Sequence, residues 1–418
     1  MARDLKKIID LTTVANELER AKRVNAGSVG FDPTWYDELL VALSVHAALD
    51  ESTSDRDRLA LCSEAISTVA KTGRITKARL VAELGRQSQR FLAQPRQPFV
   101  LLTTLSCRHF AELTPRRLDG WMLRFSDGCP AGFDRSQVPD HVWAQYGKEH
   151  RSLAHVRVRG GARTISEALE TGLERLDCVR GIWNFVLNRR LWSQQVSHEG
   201  RPLNQVRIGP IHTIHLSNGK PAAAVWWYEL CPPQDPFPTD LRDKWQRMDA
   251  QARAVRAVLK ETPLGPDLRK IIVRYCRALD GGDPEVTLMH LWAILETLTA
   301  TGGERYDATI ARVRFLYEEE PLVWYVLEML RERRNRTAHA GAGGIDARKA
   351  AIRLHRFVAA LMTFAMQVSG KFASIEEFGE FLSMPRDAAT LRQEIRVRQT
   401  ALKFKGKGAI HGRKLVRK

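Results

Sequence analysis

The proline-rich stretch Cys231-Pro232-Pro233-Gln234-Asp235-Pro236 divides a 418-residue chain into two parts of different character. Strand and helix patterns alternate before it. After it every pattern is helical. Proline fixes φ and lacks an amide donor, so neither a central strand nor a helix runs through such a segment. The chain is also too long for a single ordinary core.

Residues 1–95 read as a helical region. Leu5, Ile8, Ile9, Leu11, Val14 and Leu18 recur at roughly helical spacing, and Asp32-Pro33 opens a second helix. Two more helical patterns follow, near 58–70 and 75–92. Residues 96–236 read as a mixed α/β domain. Phe99-Val100-Leu101-Leu102-Thr103-Thr104-Leu105 predicts a buried strand, and Trp121–Phe125 a second. A long helix is expected over 165–192. Strands are expected over 206–215 and 222–230, joined by Ser217-Asn218-Gly219-Lys220, a hairpin signal. Residues 237–382 read as a helical bundle, with helices near 239–261, 266–278, 284–300, 307–317, 321–340, 346–370 and 375–382. Residues 383–418 read as a basic tail. The fold class is thus α+β and multidomain.

The formal net charge is +17 and the sequence pI about 9.9. From Arg386 to Lys418 there are eleven Lys and Arg against two acids, a net of +9. Such a balance points to nucleic acid or another anionic partner. The tail cations Lys403, Lys405, Lys407, Arg413 and Lys414 suit a phosphate backbone, as does Arg336 upstream. No apolar run reaches a membrane span, and the first residues do not resemble a signal peptide. The six cysteines are widely spaced, without a C-x-x-C pair, so a cytoplasmic protein with free thiols and no metal or other cofactor is expected.

The chemistry-bearing motif is Arg333-Arg334-Asn335-Arg336-Thr337-Ala338-His339-Ala340-Gly341. A guanidinium holds phosphate through paired hydrogen bonds, and an imidazole moves a proton near neutrality. The spacing occurs elsewhere too, at Arg135/His141, Arg207/His212 and Arg348/His355, and of these only the last lies on a helix. Context favours Arg334 and His339. Asn335 and His339 are four apart and share a helix face, so the amide is placed to orient the ring. His339 sits in a last turn, where the helix dipole favours the imidazolium. Arg334 continues the apolar stripe of Leu322, Val323, Val326, Leu327 and Leu330. Glu296 lies on the strongly apolar helix 284–300 and needs a partner, expected to be Arg334 or Arg333.

Leu295-Glu296 on a central helix, a further helix, then Arg334-Asn335-x-x-x-His339-Ala340-Gly341 resembles the HEPN domain, in particular its Apea-like branch. The resemblance covers residues 240–382. It implies a helical bundle that pairs with a second copy, so that two motifs face one cleft. It also implies metal-independent endoribonuclease activity of a toxin or antiviral-defence type, with a trigger or inhibitor protein as partner. Arg334, Asn335 and His339 would be catalytic, and Glu296 and Arg333 supporting. The alternative is a non-catalytic RNA-binding or interaction protein built on the same bundle. His212 and His215 fall on opposite strand faces, against a shared metal site, and Trp226-Trp227 offers rings for base stacking or core packing.

Overall fold

The structure is a computed structural model. It describes residues 10–25, 28–47, 49–50, 53–108, 115–151, 153–189, 202–229, 239–241, 245–302, 306–317, 320–340 and 346–406. The chain is mixed α/β and divides into two compact units. The first comprises 1–190, 196–255 and 272–283, the second 191–195, 256–271 and 284–418. The proline-rich segment of 231–236 lies outside the described residues. Among the described residues no single helix is long and apolar enough to cross a membrane.

The first unit opens with α1 (Leu11–Ala21), the short hairpin β1 (Lys22–Asn25) and β2 (Ser28–Phe31), α2 (Pro33–His46), α3 (Asp55–Lys71) and α4 (Lys77–Leu92). Asp10, Asp32, Ser54 and Thr76 each cap a helix by accepting a backbone N–H. Val14, Leu18, Leu43, Ile66, Val69 and Leu80 meet in their shared core. The hairpin is a departure from the all-helical expectation for 1–95.

Next come β3 (Gln97–Leu105), β4 (Cys107–Arg108), β5 (Arg116–Leu118), β6 (Trp121–Ser126), α5 (Asp140–Arg151), β7 (Ala154–Ala162), α6 (Ile165–Asn188), β8 (Ile211–Leu216), β9 (Trp227–Tyr228) and β10 (Thr239–Asp240). Six of these strands form an antiparallel sheet in the order β5-β6-β7-β3-β8-β9. The hairpin after β8 turns at Gly219, whose φ is 82°. At Gly160 of β7 a Cβ would sit 2.0 Å from the Trp121 ring, so only glycine lets that indole lie flat on the sheet.

α6 is buried along most of its length and carries Asp177, Arg180, Asn184 and Asn188 at helical spacing. Arg180, 1% exposed, donates to Asp177 at 2.9 and 2.6 Å and to Asp280 at 2.8 Å. Arg277 holds the other Asp177 oxygen at 2.7 Å, and Asn204 donates to Asp280 at 2.7 Å. Two cations and two carboxylates make a neutral cluster. Burial opposes the Arg180 charge, yet Asp177 and Asp280 outweigh it and raise the guanidinium pKa well above its ordinary value.

The remaining helices are α7 (Trp245–Glu261), α8 (Gly265–Asp280), α9 (Pro284–Leu298), α10 (Tyr306–Val313), α11 (Pro321–Ala340), α12 (Ala347–Val368), α13 (Ile375–Phe381) and α14 (Ala388–Gly406). α9–α14 belong to the second unit. Its core is built on α9, which packs against α11 and α12 and buries Leu288, Leu291, Trp292, Leu295 and Leu298. Within the stretch read as a basic tail, residues 388–406 are helical.

Candidate functional site

α11 begins on Pro321, whose fixed φ suits a first helical position. Its buried seam is Val323, Leu327 and Leu330, and Arg334 follows one turn on, half-buried. A long side chain in that position packs its stem against the seam and keeps its charged head toward water.

The first turn of α9 fixes the far end of α11. Glu285, 9% exposed, accepts from Arg333 Nη2 at 2.7 Å and from Thr337 Oγ1 at 2.5 Å. Arg333 and Thr337 are four apart, so one carboxylate grips one face of the helix. The carboxylate also lies at the positive end of the α9 dipole. This corrects the expected pairing: the acid that meets Arg333 is Glu285. Glu296, half-buried, instead accepts from the Trp292 indole at 2.8 Å. Eleven residues separate the two glutamates, about 16 Å along the helix. The Arg333 and Thr337 bonds bring the end of α11 to the first turn of α9, so its arginine-bearing end lies beside Glu285 rather than Glu296.

Arg334 Nη1 donates to Asn335 Oδ1 at 3.2 Å, so the amide that was expected to orient His339 is bonded to its arginine neighbour. His339 is helical in its backbone, and its side chain lies outside what the structure describes. Arg336 is exposed. Lys403 is exposed on α14 and Lys405 lies in the same helix, while Lys407, Arg413 and Lys414 lie outside the described residues.

The opposite face of α11 carries an unusual stripe. Leu322 is 73% exposed, Tyr325 64% and Met329 42%. Positions 325, 329, 332, 336 and 339 follow the four–three spacing of one helix face. Position 339 therefore continues the line of exposed apolar residues. Position 334, about 140° round the axis from it, continues the buried seam.

Three buried histidines, His355, His212 and His215, are structural. His355 of α12 is fully buried, and burial, with help from Arg356, lowers its pKa to about 4. It is therefore neutral in the folded protein near pH 7 and unsuited to carry charge at the surface. The consequence runs in one direction. The folded-state pKa lies below the unfolded value of about 6.5, so the unfolded chain binds a proton first and stability falls between about pH 6.5 and pH 4. His355→Leu is expected to remove up to about 3 kcal/mol of that acid loss. Urea unfolding of both proteins at pH 7 and pH 4.5 reads it.

In the sheet, His212 and His215 do fall on opposite faces. His212 touches Thr103 Oγ1 at 2.7 Å through Nδ1 and Glu229 at 2.9 Å through Nε2. A hydroxyl, an imidazole and a carboxylate in that order have the composition of a nucleophilic triad. Thr103 is wholly buried, so no substrate reaches its hydroxyl and the row serves to satisfy the sheet core. His215 bonds the Gly219 carbonyl at 3.1 Å and Thr213 at 2.8 Å. Trp226 packs beside Val138, Val142 and Ile211.

Reasoning from sequence missed four arginines, Arg117, Arg124, Arg157 and Arg159, which strand pairing brings to one sheet face. The alternation of valine and arginine in Val156-Arg157-Val158-Arg159 is the signal that reveals them. No family model, no curated protein and no solved structure matches this chain.

Proposed function

We propose that the chain is a metal-independent endoribonuclease of a defence or toxin type. Its active centre is formed by the C-terminal end of α11 from two copies of a HEPN-like bundle. The observation that carries the reading is the placement of Arg334, Asn335 and His339 within the last two turns of one helix, whose end is pinned by Glu285.

In this mechanism His339 of one copy takes the proton from a ribose 2′-hydroxyl, which attacks the adjacent phosphorus. His339 of the second copy gives a proton to the departing 5′-oxygen. Arg334 stabilises the negative charge that builds on the phosphorane oxygens, and Asn335 holds the guanidinium through its side-chain oxygen. A single helix end offers one imidazole, and a symmetric pair offers the base and the acid together. The exposed stripe of Leu322, Tyr325 and Met329 supports the pairing, because it runs on the same face as position 339 and a second copy would cover it.

The test is incubation of the full chain with labelled single-stranded RNA in EDTA. The reading expects 2′,3′-cyclic phosphate and 5′-hydroxyl ends, and no cutting of DNA, which lacks the attacking hydroxyl. Cutting that requires metal and leaves 3′-hydroxyl ends would overturn it. Binding without any cutting would favour the non-catalytic RNA-binding alternative.

A further inference from the structure

The six-stranded sheet of the first unit has two unlike faces. One carries α6: Gly172 approaches so closely that a Cβ there would be 3.0 Å from Leu101. On the other face β6 sets Arg124 directly opposite Arg157 of β7, and Met122 opposite Arg159. β5 sets Arg117 opposite Met122. Four arginines on three neighbouring strands thus share one side of the sheet. Arg117, Arg124 and Arg159 are exposed and Arg157 is half-buried.

Among the described residues none of these four guanidiniums has an acidic partner. Nearby groups do. Arg116, one position along and on the opposite face, pairs with Asp249 at 2.5 Å. Asp119 pairs with Arg175 at 3.4 Å, and Asp134 accepts from the Ser136 backbone. Like charges directly opposite each other across strands destabilise a sheet, so an anion on this face relieves a repulsion that the fold leaves uncompensated. Arg135 extends the positive field. It lies over the Trp143 ring at 4.4 Å and acts on His155, which precedes Arg157 on the same face of β7.

The layout favours a chain of anions over a single small one. Neighbouring strands are about 4.8 Å apart and alternate residues about 6.7 Å apart, so the cations form a strip rather than converging on a point. Arginine's planar fork suits phosphate oxygens better than a lysine does.

We propose that this arginine-lined face of β5, β6 and β7 holds the sugar–phosphate backbone of single-stranded RNA without reading its bases. The choice of RNA among polyanions rests on the ribonuclease reading; the anion-binding face itself does not. The experiment uses the full chain carrying His339→Ala, so that bound RNA survives. Affinity for a labelled single-stranded RNA is read by fluorescence anisotropy at several salt concentrations. R124Q/R159Q is compared with R74Q/R90Q, a control pair of exposed arginines outside the sheet.

Both patch side chains are exposed and R124Q removes the Arg124–Arg157 repulsion, so the thermal midpoint is expected to hold or rise slightly. The patch variant is expected to lose about tenfold in affinity, and the slope of log affinity against log salt to shrink by about 1.4, two phosphates at about 0.7 each. The control pair is expected to leave both quantities alone. Unchanged affinity and slope in R124Q/R159Q would overturn the proposal. So would a loss confined to binding of phosphatidylserine vesicles with RNA binding intact, which would assign the face to a membrane surface. If the salt slope shrinks as expected while the chain with His339 intact cuts no RNA, the binding face stands and the nuclease reading falls.

Discussion

Replacing His339 by alanine is expected to lower RNA cutting by about a hundred- to ten-thousand-fold, the range typical of a lost general acid or base. In the proposed pair the substitution removes both proton-transfer groups at once, so the upper part of that range applies. The fold should not change, because position 339 lies on the face of α11 opposite the buried seam of Val323, Leu327 and Leu330. Single-turnover cutting rates and circular dichroism separate the two effects. Arg334→Ala should act on the same step, by about a hundred- to a thousand-fold, through lost stabilisation of the phosphorane charge. A His339→Ala protein that cuts at the parental rate would remove the imidazole from the mechanism.

The second large effect concerns stability. Arg180→Ala is expected to cost about 3–5 kcal/mol, the range for breaking a buried ion pair from one side. The side chain is 1% exposed and faces Asp177 and Asp280, so its removal leaves carboxylates in the interior with less compensation. Burial already raises the Asp280 pKa, with Arg180 as the main opposing influence, and the variant should therefore be least disfavoured at acid pH, where that carboxyl takes up a proton. Arg180→Lys should recover only part of the loss, since one ammonium cannot reproduce the forked bonds to both acids. Urea unfolding monitored by tryptophan fluorescence measures the difference.

Much of the helical architecture was legible because the relevant signals are local. The helix over 321–340 was marked by Pro321 at one end and the glycines after Ala340 at the other. β3 was legible as a run of β-branched and apolar residues. β7 was not, although it is a central strand. Its charged alternation, with Arg157 and Arg159 outward and Gly160-Gly161 at its end, lacks the continuous apolar run used to find β3. The β1–β2 hairpin was missed because four-residue strands give too short a period to detect.

At the candidate site the sequence placed Arg334, Asn335 and His339 on one helix. It did not identify Glu285 as the acid that anchors that helix. The choice of Glu296 rested on its apolar surroundings along α9, whereas the pairing is decided by which turn of α9 the end of α11 meets, a tertiary fact. Helix spacing put Leu322 in one apolar stripe with Val323, Val326, Leu327 and Leu330, whereas its exposure, and that of Tyr325 and Met329, is known only from the packed unit.

The central claim is that two copies meet along that stripe and bring two α11 ends together. The most direct measurement is sedimentation of the full chain and of Tyr325→Glu/Met329→Glu, run beside the RNA-cutting assay. The account predicts a dimer that becomes a folded monomer in the double variant, with cutting lost in step. A parental chain that sediments as a monomer while cutting RNA, or a monomeric double variant that cuts at the parental rate, would contradict it.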